Sequence, residues 1–218
     1  MSIPRSNLER IYTIWGIILI LWSIYRAFFN LSEAADEFIV KPLIFLTPVF
    51  ISVLGFEKET LVSIGLTAGK FVRDIYLGVG FGALFAIEGL VTNMVKHGTI
   101  SLAPAIAVDL PTLSAYLLLS FATAISEEIL IRGFFYTRLK AEYKNEFKAL
   151  VISTLMYLFI LVPVVFTRLH LTGVTLAIFI MTNLILSFAN TMIFNETKTI
   201  TVPVLIHVFW NLAVFLYL

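Results

Sequence analysis

Long apolar runs separated by shorter polar connections dominate this chain. Most of these runs are close to the length of about 20 mostly apolar residues that a helix needs to cross the hydrocarbon core of a bilayer. A membrane-spanning barrel would instead need segments of about ten residues that alternate in polarity. The pattern therefore predicts seven transmembrane helices, within a range of six to eight, at Ile11–Phe29, Phe38–Gly55, Ile75–Val95, Thr112–Tyr136, Ala149–Phe166, Leu171–Phe194 and Thr199–Leu218.

The polar connections predict the orientation of the chain. Within the connection at residues 56–74, the apolar segment Leu61–Ala68 either lies along the membrane interface or forms an eighth span with its neighbours. Lys and Arg concentrate in the cytoplasmic loops of membrane proteins. With the N-terminus inside, ten Lys and Arg residues lie on the cytoplasmic side and four, including Arg26 and Lys41, on the outer side. We therefore expect a multi-pass protein of the cell membrane with a cytoplasmic N-terminus.

The amino-acid composition agrees with a membrane protein. Hydrophobic residues make up 60% of the 218 residues and charged residues 13%, and the mean hydropathy is +0.98. An ordinary globular domain has about 25% charged residues, and a soluble fold of this size cannot bury so much apolar surface. We expect an all-α, polytopic membrane helix bundle that forms a single integral-membrane domain over residues 1–218.

Charge and cysteine content exclude several classes of function. The formal net charge of +1 lacks the basic excess that is typical of nucleic-acid-binding proteins, so we expect no nucleic-acid partner. The chain contains no cysteine. This excludes disulfides, thiolate metal sites and a cysteine nucleophile.

Ionisable residues at membrane depth indicate function, because burying one costs at least about 2.5–3.5 kcal/mol. Few such residues occur in the apolar stretches. The polar candidates are Glu88 in the third stretch, Glu127, Glu128 and Arg132 in the fourth, His170 at a short connection, and His207 and Asn211 in the last stretch. Of these, Glu88 has no evident partner in the sequence.

Four-residue spacing predicts which of these groups share a helix face. Glu128 and Arg132 face each other as acid and base, whereas Glu127 points about 100° away from Glu128 and is less easily neutralised. His207 and Asn211 also share a face, either as interhelical hydrogen-bonding groups or as site residues. A carboxylate without a partner, together with imidazole and carboxamide groups, favours hydrolysis by an activated water, with or without a metal.

Three motifs in this order resemble those of a known family. They are Glu127-Glu128-x-x-x-Arg132, Phe166-x-x-x-His170 and His207-x-x-x-Asn211, within a motif-bearing segment at residues 114–218. The set resembles the CPBP family (CAAX proteases and bacteriocin-processing enzymes, also called Abi), which includes the type II CAAX prenyl endopeptidases. The resemblance implies an intramembrane endopeptidase in the lipid bilayer. Its partner would be a polypeptide substrate, such as a prenylated protein tail or another membrane peptide.

The resemblance also implies roles for the motif residues. The implied catalytic residues are Glu127, His170, His207 and Asn211, and the implied supporting residues are Glu128, Arg132 and Phe166. Glu127 would be the general base that activates water, with help from His170. His207 and Asn211 would stabilise the oxyanion or complete the site. Glu128 and Arg132 would hold the helix and orient Glu127, and Phe166 would pack nearby.

A metal ion and two other functions stay open at this point. The family is commonly described as metalloproteases, and Glu127, His170 and His207 would suit a zinc site with one position left for water. A site without metal, in which Glu127 acts on water directly, is equally compatible with the sequence. The alternatives to a protease are a non-catalytic immunity or adaptor protein of the same family that binds a peptide, and a small proton-coupled transporter.

Overall fold

The computed structural model describes residues 7–97 and 109–217, apart from the side chains of residues 88–89, 92–93, 95–97 and 217. These ranges contain seven long helices and no strand, which confirms the predicted all-α helix bundle. Each predicted apolar stretch corresponds to one helix. The helices are α1 (Asn7–Phe28), α2 (Glu33–Phe56), α3 (Phe71–His97), α4 (Leu110–Tyr143), α5 (Glu146–Leu169), α6 (Gly173–Thr197) and α7 (Thr201–Tyr217).

Several of these helices have the dimensions of membrane spans. Within the described ranges, five helices are long and apolar enough to cross a membrane, namely α1, α2, α4, α5 and α6. Helix α7 is apolar but shorter, with 17 residues. The segment Leu61–Ala68 does not form a further long helix, because its only helical part is the 3₁₀ turn Leu61–Ile64.

Polar side chains and left-handed residues set the helix ends. Asp109 precedes α4 and accepts a hydrogen bond from the Thr112 amide at 2.9 Å, and its hydrogen bonds with Thr112 lower the pKa of Asp109. At the next junction Lys144 has a left-handed φ of +50°, and the Asn145 side chain caps α5 through the Lys148 amide at 2.9 Å. These contacts satisfy backbone groups that a helix end leaves without a partner.

Helix α4 lies at the centre of the bundle and packs against α2, α5, α6 and α7. Its segment Ile129–Tyr136 is π-helical, and all of its side chains are buried. The 3₁₀ turn packs directly on this segment, since a Cβ atom on Gly133 would lie 2.7 Å from the carbonyl oxygen of Ile64. Gly65 then adopts a left-handed φ of +79°, and its carbonyl accepts a hydrogen bond from the Ile200 amide at 3.0 Å. The connection before α3 is thereby attached to both α4 and the start of α7.

Helix α3 packs closely along α7 through two glycines. A Cβ atom on Gly78 would lie 2.7 Å from Cβ of Leu205, and one on Gly82 would lie 2.8 Å from Cγ of Phe209. A Cβ atom on Gly80, which lies between them, would have no other atom within 4 Å. Small residues let membrane helices approach closely. The contact between α3 and α7 therefore requires glycine at positions 78 and 82 but not at position 80.

Replacing Gly78 or Gly82 by alanine should lower the free energy of unfolding by about 1–3 kcal/mol, because the added methyl group must displace Leu205 or Phe209. Gly80→Ala is the matched control and should leave stability unchanged or slightly raised, since alanine favours the helix. Unfolding of the purified protein by SDS in mixed micelles measures all three variants. An equal loss of stability in Gly80→Ala would contradict this account of the packing.

Candidate active site

A polar cavity of about 210 Å³ lies among the helices. Three of the four predicted catalytic residues line it: Glu127 from α4, and His207 and Asn211 from α7. Glu127 and His207 are only 6% and 2% exposed, and Asn211 is half-buried. Further ionisable or polar lining residues come from the other helices: Arg26, Glu33, Glu37, Lys41, Tyr157, Arg168 and Asn183.

The neighbouring carboxylate, Glu128, is fully buried and points away from this cavity into a polar cluster. One of its oxygens, Oε1, lies 3.2 Å from Arg132 Nη1, 3.1 Å from Asn190 Nδ2 and 2.8 Å from His207 Nδ1. The predicted pairing of Glu128 with Arg132 is therefore present. The Glu128 carboxylate also contacts His207. It therefore positions an imidazole on α7 in addition to pairing with Arg132 in its own helix. Asn190, which the sequence analysis did not single out, also donates to the Pro203 carbonyl at 3.2 Å.

This contact determines which imidazole nitrogen of His207 faces Glu127. An ionised carboxylate only accepts hydrogen bonds, so Nδ1 donates to Glu128. The other nitrogen, Nε2, lies 3.9 Å from Oε2 of Glu127. The two adjacent glutamates thus lie at opposite nitrogens of one ring, as the 100° rotation between adjacent helix positions requires.

Helix α2 contributes a cation that the sequence analysis assigned to the outer side of the membrane. Lys41 is 5% exposed, and its ammonium group lies 3.1 Å from Oε1 of Glu127. The same ammonium group pairs with both oxygens of Glu37 at 2.5 and 2.7 Å. Lys41 is therefore a buried, paired cation of α2 and not an exposed loop charge. The sequence did contain a signal for this pairing. Glu37 and Lys41 are four residues apart with the acid before the base, a spacing that favours an ion pair on one helix face.

A second charged cluster borders the same cavity where α1 ends, α2 begins and α5 ends. Arg26 lies 2.6 Å from Asp36, and Tyr25 donates a short hydrogen bond to the other oxygen of this carboxylate. Arg168 lies 3.5 Å from both Asp36 and Glu33. The side chains of Arg168 and Glu33 are 37% and 47% exposed, so this end of the cavity is bordered by accessible charges.

The structure does not bring the residues of the second motif to this cavity. The face of α5 that lines the cavity carries Tyr157, Leu161 and Val164, and Arg168 follows on the same face. Phe166 lies elsewhere on the helix and is 69% exposed. His170 follows the end of α5 in a left-handed conformation, with a φ of +48°, and its side chain is exposed.

The ligands predicted for zinc therefore do not form a group. Catalytic zinc sites in proteins use three side-chain ligands and leave a fourth position for water. Among the residues that the structure describes, no group of three or more His, Asp or Glu side chains could hold a metal ion. Glu127 and His207 share the cavity, but the exposed His170 does not join them. The side chain of Glu88, the remaining membrane-depth candidate, lies outside the described residues.

The family comparison agrees with the motifs. Residues 109–213 match the family described as type II CAAX prenyl endopeptidase Rce1-like. This match, which runs from α4 into α7, confirms the resemblance of this segment to the CAAX-protease (CPBP) family. No curated protein sequence and no solved structure matches the chain. The helices long and apolar enough to span a membrane and the family match together indicate a multi-pass integral membrane protein, and the matched family implies a polypeptide substrate.

Replacing Arg132 by methionine should destabilise the protein by about 3–5 kcal/mol, because it leaves Glu128 as a buried carboxylate without its cation. The double variant Glu128→Gln/Arg132→Met removes both charges and should recover part of that loss. Detergent-based thermal unfolding of the two variants and the wild type makes the comparison. A double variant that is less stable than Arg132→Met would show that the ion pair is not the source of the effect.

Proposed function

We propose that this protein is an intramembrane endopeptidase in which Glu127 activates the attacking water. The proposal is carried by one observation. Glu127, His207 and Asn211 line a single cavity, and all three belong to the residues that match the family of CAAX proteases. A carboxylate, an imidazole and a carboxamide at one cavity are the groups that peptide hydrolysis needs as base and oxyanion donors.

The proposed reaction uses these groups in turn. The water oxygen attacks the carbonyl carbon of the scissile peptide while one water proton moves to the Glu127 carboxylate. The carbonyl oxygen becomes an oxyanion, which accepts a hydrogen bond from the Asn211 amide, and the His207 imidazole lines the same cavity. When the tetrahedral intermediate collapses, the C–N bond breaks and the proton passes from Glu127 to the leaving amine. One peptide and one water become a carboxylic acid and an amine.

An apolar groove beside the cavity supports a membrane-associated or prenylated substrate. The groove has a volume of about 310 Å³, lies between α5 and α6, and includes the exposed Phe166. It shares Leu161 and Phe179 with the polar cavity. An aliphatic chain in the groove would leave the attached peptide beside the polar cavity that Glu127 lines. This arrangement suits a substrate that enters from the lipid with its polar backbone directed into the cavity.

The side chains that line the cavity support a reaction in which Glu127 acts on water without zinc. His170, the third ligand predicted for zinc, does not line the cavity with Glu127 and His207. We therefore propose that cleavage persists in the presence of a chelator.

We also propose that the N-terminus is cytoplasmic. Arg26 and Lys41 are buried and paired, so neither is an outer loop charge that would oppose this orientation.

A second candidate function is peptide binding without cleavage, as in a non-catalytic member of the family. Two observations favour it. One oxygen of Glu127 is paired with the Lys41 ammonium group, which competes with a water for that oxygen. In addition, the cavity-lining face of α5 carries Leu161 and no imidazole.

Cleavage assays with single variants test the proposed protease. Glu127→Gln should reduce cleavage of a membrane-peptide library by at least about 10²-fold, because the amide cannot accept the proton of water. Asn211→Ala should reduce it by a similar factor through loss of an oxyanion donor. His170→Ala should stay within a few-fold of wild type, since its exposed side chain does not line the cavity. The readout is product formation by purified protein in liposomes, followed by mass spectrometry.

Chelator and binding controls separate the alternatives. Cleavage that is lost with chelator and restored by zinc would overturn the metal-free proposal, and loss in His170→Ala would restore the sequence-based site. Wild-type protein that binds peptides from the library but leaves them intact would favour the binding function. Cleavage by Glu127→Gln at the wild-type rate would show that Glu127 is not the base.

A further inference from the structure

Lys41 belongs to a part of the chain outside the family match, yet it contacts the proposed base directly. Its Nζ atom lies 3.1 Å from Oε1 of Glu127, although α2 precedes the matched residues 109–213. The side chains of Lys41 and Glu127 are 6% and 8% exposed. Because little water reaches them, the charge of one group acts strongly on the other.

Two helices present these groups with matching four-residue spacings. Glu37 and Lys41 lie one turn apart on α2, and Thr123 and Glu127 lie one turn apart on α4. The Thr123 hydroxyl donates a hydrogen bond to Glu37 Oε2 at 2.6 Å. The first contact between the helices is therefore Glu37 with Thr123, and the second is Lys41 with Glu127. The first contact anchors Glu37, and Glu37 in turn holds the ammonium group beside Glu127.

In this arrangement the Lys41 ammonium group is paired with two carboxylates, those of Glu37 and Glu127. If Glu37 and Glu127 are both ionised, the group of Glu37, Lys41 and Glu127 carries one negative charge in excess. A buried carboxylate without a counter-charge binds a proton, because burial penalises the charged form. The other groups that face Glu127 are His207, at 3.9 Å, and Tyr157, on the same cavity wall. The ammonium of Lys41 is the permanent cation in contact with Glu127 among the described residues.

We propose that Lys41 is a positioning residue that keeps Glu127 in its carboxylate form, and that Glu37 limits how much of the lysine charge acts on Glu127. The catalytic meaning of this inference rests on the proposed function, since only a carboxylate can accept a proton from water. The N-terminal half of the chain thus completes the electrostatics of a site whose motifs all lie in the C-terminal half.

Labelling by a carbodiimide tests the inference without a substrate. Dicyclohexylcarbodiimide reacts with protonated carboxyl groups in apolar surroundings, so the extent of labelling reports the protonated fraction of Glu127. Purified protein is treated at neutral pH, and tandem mass spectrometry separates label on Glu127 from label on Glu128. Glu127→Gln provides the blank.

Removing the lysine charge should increase labelling of Glu127 by about tenfold or more, because a change of one unit in a pKa alters the protonated fraction tenfold. Lys41→Met is the test variant, and Lys41→Arg is the matched control that keeps the charge and should label like wild type. Glu37→Gln should change labelling in the opposite direction, since it leaves the lysine charge to Glu127 alone. If Lys41→Met does not fold, Lys41→Gln replaces it.

Two results would overturn the inference. The first is unchanged labelling in a folded Lys41→Met protein, with folding checked by thermal unfolding. The second is an equal increase in Lys41→Met and Lys41→Arg, because a response that ignores the charge reports only altered packing.

Cleavage measurements separate this inference from the proposed function. In a chain whose activity depends on Glu127, Lys41→Met should lower kcat at least tenfold with little change in KM, and Lys41→Arg should retain most of the activity. If Glu127→Gln cleaves as well as wild type while the labelling responds to the lysine charge, the proposed function fails and the control of Glu127 by Lys41 stands.

Discussion

A single buried carboxylate organises the C-terminal half of this bundle. Glu128 has no access to solvent, and a carboxylate away from water must be paired and hydrogen-bonded. Its Oε1 atom receives contacts from Arg132 of α4, Asn190 of α6 and His207 of α7, so three helices meet at one oxygen. The position of α7 relative to α4, and with it the direction in which His207 points, follows from this requirement.

The adjacent glutamates on α4 have different surroundings because a helix rotates by about 100° between neighbouring positions. Glu128 faces the interior and holds His207, whereas Glu127 faces the cavity, where Lys41 from α2 approaches it. The helix surface alone therefore separates a carboxylate in the buried cluster from one that lines the cavity. The cavity gains its polar character from both halves of the chain, and the apolar groove between α5 and α6 adjoins it through Leu161 and Phe179.

The second motif shows how a sequence pattern can match while its side chains lie elsewhere. Phe166 and His170 have the four-residue spacing of the family motif, but the cavity-lining face of α5 is the one that carries Tyr157, Leu161 and Val164. A four-residue spacing places two side chains on the same face of a helix. It does not determine which other helix, or which cavity, that face contacts. The first and third motifs were interpretable because Glu127 and His207 lie deep within apolar stretches, where a polar residue needs a partner.

The apolar runs determined the helices of this protein by themselves, since each run can avoid water only by crossing a membrane or packing within it. The spacing of Glu128 and Arg132 also determined their pairing, because that contact lies within one helix. The tertiary structure decided the rest. Lys41 and Asn190 reach the two glutamates from other helices, and His170 is left outside, because contacts between helices depend on rotation and docking that no local pattern contains.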